Sequence, residues 1–70
     1  MKEDEFDAQC KELLYMYCEI RLSSNKTIKG FVLPEDYDES TNRYECSMGN
    51  MRVPIRASKT ISIKLLKKGN

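Results

Sequence analysis

The stretch Thr27–Ser40, TIKGFVLPEDYDES, constrains the fold more than any other part of the chain. Read as an extended strand, it puts Ile28 and Val32 on one face and Phe31 and Leu33 on the other, with Gly30 between the pairs. A strand that is apolar on both faces around a glycine suits the tight corner of a small barrel. The missing side chain lets the sheet fold over itself there. Pro34 ends the ladder, because it has no N–H to donate. Glu35–Asn42 then reads as an acidic loop with Tyr37 as its only aromatic residue.

The flanking sequence supplies what such a corner needs. Over residues 2–17, Phe6, Cys10, Leu13, Leu14 and Tyr17 recur at helical spacing, which predicts an amphipathic helix with Asp4 as its N-cap. From Cys18 the period changes to two. Cys18, Ile20 and Leu22 alternate with Glu19, Arg21 and Ser23, as in a half-buried strand, and Ser23–Lys26 turns into the central strand. Tyr44, Cys46 and Met48 then alternate up to Gly49-Asn50, and Met51, Val53 and Ile55 alternate away from it. The two-residue turn pairs Met48 with Met51, Cys46 with Val53 and Tyr44 with Ile55 on one face. Ser47 falls beside Arg52, and Glu45 beside Pro54, on the other face. Pro54 argues for a sheet edge. After a turn at Arg56–Lys59, a last strand is expected to point Ile61, Ile63 and Leu65 inward and Ser62 and Lys64 outward. The tail 67–70 is expected to fray.

Seventy residues suffice for one domain, 1–70, with a core of only about 3–5 kcal/mol net stability, so self-association is a natural supplement. No apolar run reaches membrane-spanning length and the N-terminal segment is too acidic for a signal peptide, so a cytoplasmic protein without membrane contact is expected. Histidine is absent, which removes the commonest general base and zinc ligand. Cys10, Cys18 and Cys46 form no clustered spacing and read as reduced, buried thiols. The chain is therefore expected to be no enzyme and to carry neither cofactor nor metal. Its formal charge of +1 hides a split: residues 1–39 carry five Lys/Arg against ten Asp/Glu, and residues 40–70 carry seven against one. Such a dipole solvates two faces, or lets the acidic half of one copy meet the basic half of another.

One helix followed by five short sequential strands describes an α+β, mainly β, architecture. It resembles the SH3-like or Sm-like small barrels: a five-stranded, strongly bent antiparallel sheet over residues 18–66, with the helix over one open end. Gly30, Val32 and Asp36 match the first Sm-like motif, with Ser40 where that family has Asn. Ile55-Arg56 matches the second motif, with Ala57 in place of Gly. The chain also resembles the YolD-like family through Ile28-x-Gly30-x-Val32 and Val53-Pro54-Ile55 … Ile61-x-Ile63, without that family's basic N-terminal segment. The first resemblance implies single-stranded RNA binding at Asp36–Ser40 and Arg56–Ser58. The second implies a bacterial or phage accessory protein of DNA repair or replication.

Two candidate surfaces follow. Arg52, Arg56, Lys59 and Lys64, expected on neighbouring closing strands and the turn between them, form a basic cluster that would attract a phosphate backbone, with Tyr37 as a stacking residue. The carboxylates Glu35, Asp36, Asp38 and Glu39 around Tyr37 oppose this, and they lack the spacing of a calcium loop. The second surface is the helix face of Phe6, Leu13, Leu14 and Tyr17 together with the edge at Pro54, which would serve a protein partner or a homo-oligomer. A binding or adaptor domain that self-associates is the first expectation, and an RNA-binding protein the second.

Overall fold

A computed structural model describes residues 1–66. The expected frayed tail at 67–70 lies outside the described residues. Helix α1 (Glu3–Glu12) precedes five strands: β1 (Tyr17–Leu22), β2 (Thr27–Pro34), β3 (Tyr44–Met48), β4 (Met51–Ile55) and β5 (Thr60–Leu65). The strands make one antiparallel sheet in the order β4-β3-β2-β1-β5. Among the described residues no hydrogen-bonded ladder joins β4 to β5, so the sheet is curled but not closed into a barrel by hydrogen bonds. No described helix is long and apolar enough to cross a membrane.

The helix is shorter than its periodicity predicts. Its N-cap is Lys2, without a side-chain capping bond, and Asp4 sits instead in an acidic first turn that complements the helix dipole. It ends at Glu12 because the chain adopts a left-handed conformation at Tyr15 (φ 66°). That conformation costs on the order of 1–2 kcal/mol. In return, the Tyr15 N–H donates to the Val32 carbonyl (2.6 Å) and the Val32 N–H to the Met16 carbonyl (3.1 Å), which extends the β1–β2 ladder back towards the helix. Tyr17 accordingly belongs to β1 and not to the helical face. Its ring lies edge-on to Phe31 across the outer sheet surface, with centroids 5.2 Å apart.

Gly30 works as its position suggests. A Cβ on this buried glycine would lie 2.7 Å from Cys46 Sγ and 2.9 Å from the Ser47 carbonyl carbon. Only a residue without a side chain permits β3 to fold this closely over β2. Inside the curl sit Cys18, Ile20, Val32, Tyr44, Cys46, Ile55 and Ile63, covered from above by Phe6 and Cys10 of α1. Phe6 meets Tyr44 edge-on (6.0 Å), and the Tyr44 hydroxyl donates to Asp7 Oδ1 (2.8 Å). Burial of the ring, followed by this bond, raises the Tyr44 pKa.

The hairpin has the register its sequence predicts, Met48↔Met51 through Tyr44↔Ile55, and Gly49 turns at φ 62°. Pro54 lies on an edge strand, as expected. The last strand differs. Its ladder with β1 slips, so that Arg21 faces Ser62 while Leu22 faces Thr60, and Ile61 becomes the extra residue of a bulge. Thr60, and not Ile61, is therefore buried, its hydroxyl donating to the Arg56 carbonyl (2.7 Å). Ile61 and Leu65, both expected inward, are each 51 % exposed; only Ile63 of the three enters the core.

Candidate functional site

The basic cluster predicted from the sequence is split by the fold. Arg52 stands on β4 and Lys64 on β5, at opposite edges of the sheet and not on paired strands. Lys59 is exposed at the end of the 3-10 turn Ala57–Lys59, where its carbonyl accepts the Ser23 N–H (3.0 Å). Lys64 faces Glu19 of β1, which faces Lys29 of β2 in turn. Arg52 and Tyr37 do come together on the outside of β3 and β4, and Arg56, just beyond β4, meets Glu35 of the same loop.

The acidic loop brings them there. After Pro34 the chain makes two 3-10 turns, Glu35–Tyr37 and Glu39–Thr41, with Asp36, Tyr37 and Asn42 at positive φ. The loop is braced at its base by the Glu35 N–H donating to the Arg43 carbonyl (2.9 Å). Within it, Asp38 accepts from the Ser40 N–H (3.0 Å) and hydroxyl (2.6 Å), and these bonds lower its pKa. This folding carries Glu35 and Tyr37 back towards β4 and the residue that follows it. The Arg56 guanidinium donates to Glu35 (2.7 Å) and to its neighbour's carbonyl on Ile55 (3.0 Å). Arg52 pairs with Glu45 (3.1 Å), lies over the Tyr37 ring with its central carbon 4.4 Å from the centroid, and hydrogen-bonds the Tyr37 hydroxyl.

The electrostatic consequence is local neutralisation. The Arg56–Glu35 pair joins the acidic and basic halves of the sequence within one copy, while Arg52–Glu45 lies within the basic half. Glu45 is the member the sequence did not single out: it is 9 % exposed, and burial, then Glu35 and Asp36, raise its pKa. An alternating strand gives no warning of this, because Glu45 occupies the outer face of β3 and is buried by the returning loop and the Arg52 side chain. Tyr15 ties the same loop to the end of α1, its hydroxyl donating to Glu39 (3.0 Å), a bond that raises the phenol's pKa.

Beside the loop, Glu35, Asp36, Asp38, Thr41 and Arg43 line an open hollow of about 310 Å³. Among the described residues no three His, Cys, Asp or Glu side chains gather closely enough to hold a metal ion. The three cysteines are free and buried, and burial raises each pKa: Cys10 to about 12, with Asp7 and Cys18 adding to the effect, and Cys46 to about 11, with Cys18 adding. A thiol held protonated in this way is a poor nucleophile.

The second candidate surface is also divided. Phe6 is in the core and offers nothing to a partner, while Leu13 and Leu14 are half-buried against it. Tyr17 lies on the outer sheet face. Also outward are Tyr15, Met16 and Phe31, and the two edge strands, β4 with Pro54 and β5 with Ile61 and Leu65. No protein-family model matches this chain, and comparison with curated proteins and with solved structures finds no match either.

Proposed function

We propose that this chain is a non-enzymatic binding or adaptor domain, a helix-capped small barrel of SH3-like or Sm-like kind, that self-associates in the cytoplasm. The observation that carries the reading is the pair of sheet edges: among the described residues, β4 and β5 each have a partner strand on one side only. Exposed apolar side chains accompany both, Met51 on β4 and Ile61 and Leu65 on β5. Edge strands with apolar side chains are templates for strand addition. The small-barrel part is supported by the close approach at Gly30 and by β1 pairing with both β2 and β5. The non-enzymatic part is supported by a sequence without histidine and by thiols held protonated. On the YolD-like resemblance, such a domain would be a bacterial or phage accessory to DNA repair or replication. Light scattering on the purified, nucleic-acid-free chain tests the self-association. A mass above one chain that rises with concentration is expected, and a monomer at every concentration overturns the reading.

A second reading, single-stranded RNA binding, draws on one observation: the Arg52 guanidinium over the 61 % exposed Tyr37 ring is a cation–aromatic platform of the kind bases stack on. A phosphate chain arriving there must displace Glu35 from Arg56. Titration of a labelled oligonucleotide at low salt, with Arg56→Ala beside the parent chain, decides it. Affinity that falls with salt and with the substitution supports RNA binding, and no affinity at low salt overturns it.

A further inference from the structure

The two sheet edges are not equivalent, and the hydrogen-bond phase of the ladders shows why. In an antiparallel pair, opposed residues alternate between those that bond to each other and those whose N–H and C=O point away. A two-residue turn bonds the flanking Met48 to Met51, so Val53 and Ile55 also bond inward to β3. Arg52 and Pro54 then point their backbone groups to the free edge, and Pro54 has no N–H. Between Met51 and Ile55 the β4 edge therefore offers a single outward donor, that of Arg52.

On the other side, the Leu66 N–H bonds the Tyr17 carbonyl (3.0 Å). Tyr17 and Leu66 are thus a bonded pair, Cys18 and Leu65 are not, and the alternation continues through Ile20 and Ile63. Ile63 and Leu65 consequently direct intact N–H and C=O groups outward. Nothing among the described residues pairs with them. Proline blunts an edge by removing a donor, and β4 carries it; β5 carries instead a bulge at Ile61 and a charge at Lys64, which leave the donors of Ile63 and Leu65 in place.

Resting on the self-association proposed above, we infer that a second copy of this chain docks on the β5 edge, β5 against β5 and antiparallel, about a two-fold axis. The side chains select the register. Placing Ile63 opposite its own counterpart sets Leu65 opposite the bulged Ile61, and Lys64 opposite Ser62. This covers the two side chains that β5 leaves 51 % exposed. Moving the two-fold axis by one residue, a two-residue slip of register, would set Lys64 opposite Lys64, and directly opposed like charges destabilise a strand pair. The β4 edge takes no part, so the assembly stops at two.

The test is light scattering coupled to gel filtration on the full chain and on two proline variants, with circular dichroism to establish that each is folded. Leu65→Pro removes an outward N–H and the exposed leucine side chain while leaving the bonds to β1 in place, and the mass is expected to fall from two chains to one. Arg52→Pro removes the outward donor of the other edge and is expected to leave two chains. A double variant, Ile61→Cys with Leu65→Cys, supplies a readout should the prolines prevent folding: mild oxidation is expected to yield a covalent dimer, the native thiols being buried. A folded Leu65→Pro that still associates, loss of association in Arg52→Pro, masses beyond two chains, or absence of the covalent dimer would each overturn β5 pairing while leaving self-association standing. A monomer at all concentrations would overturn both.

Discussion

Replacing Gly30 by alanine adds one methyl group at the point where β3 folds over β2. The new Cβ would sit 2.7 Å from Cys46 Sγ and 2.9 Å from the Ser47 carbonyl carbon, well inside van der Waals contact. Neither neighbour yields easily. Cys46 has no exposed surface, and Ser47 is held in a ladder between Phe31 and Arg52. Overpacking a core typically costs about 1–3 kcal/mol, and an obstruction that includes backbone belongs at the upper end. Against this, alanine stabilises by about 0.5–1 kcal/mol through the unfolded chain. The net loss is about 2 kcal/mol, which for a domain this small lowers Tm by roughly 8–16 °C. Urea melts followed by far-ultraviolet circular dichroism measure it directly. Gly49→Ala is the comparison: nothing lies within 4 Å of its Cβ, so only the strain of φ 62° remains, about 1 kcal/mol. A Gly30→Ala chain within about 0.5 kcal/mol of the parent would refute the close approach, and with it the corner on which the curled sheet depends.

Tyr44→Phe keeps the ring against Phe6 and removes the hydroxyl that donates to Asp7, so a loss of about 1–2 kcal/mol is expected in the same melts. The thiols make the fold alkali-labile. Their pKa values are raised in the folded state, so the stabilisation is complete below the unfolded value of 9.0 and is lost as pH climbs towards about 11 for Cys46 and about 12 for Cys10. Stability measured by urea should be level up to about pH 8 and fall steeply between pH 9 and 11, and Cys10→Ala should flatten part of that slope. Arg56→Ala breaks a half-exposed ion pair with Glu35, and its effect on stability should stay under about 1 kcal/mol and shrink in high salt. A larger, salt-independent loss would mean that the loop is held by something other than this pair.

How far the fold was legible depended on whether its cause was local. The hairpin was, because Gly49-Asn50 and the alternation on either side of it fix each other's register. The corner at Gly30 was, because a buried glycine in an apolar strand has few other uses. The end of the helix was not: Tyr15 turns left-handed for bonds to Val32, a residue seventeen positions away that no periodicity connects to it. The bulge at Ile61 was equally hidden, since Ile61-x-Ile63-x-Leu65 is a regular strand pattern and only the pairing with β1 breaks it. At the candidate site the charges were legible and their partners were not. Glu35, Glu45, Arg52 and Arg56 are all visible as charged positions, yet their pairing depends on the direction in which the loop returns. That direction is set by positive φ at Asp36 and Tyr37, neither of them a glycine.

The strand order also sets a sequence of events in time. Three of the four ladders join strands that follow one another along the chain, so each closes over a short loop soon after its strands exist. The fourth, β1 with β5, must wait for everything between them, because it brings Cys18 to Leu65 across the whole meander. Within a single copy, the last strand to join is held on one side only and is the natural first to leave. Its departure would uncover Cys18 and Ile20 while the other four strands stayed paired. Hydrogen exchange at concentrations where the copies are dissociated should therefore find the β5 amides opening at lower free energy than those of β2, which lies bonded on both sides in the middle of the sheet.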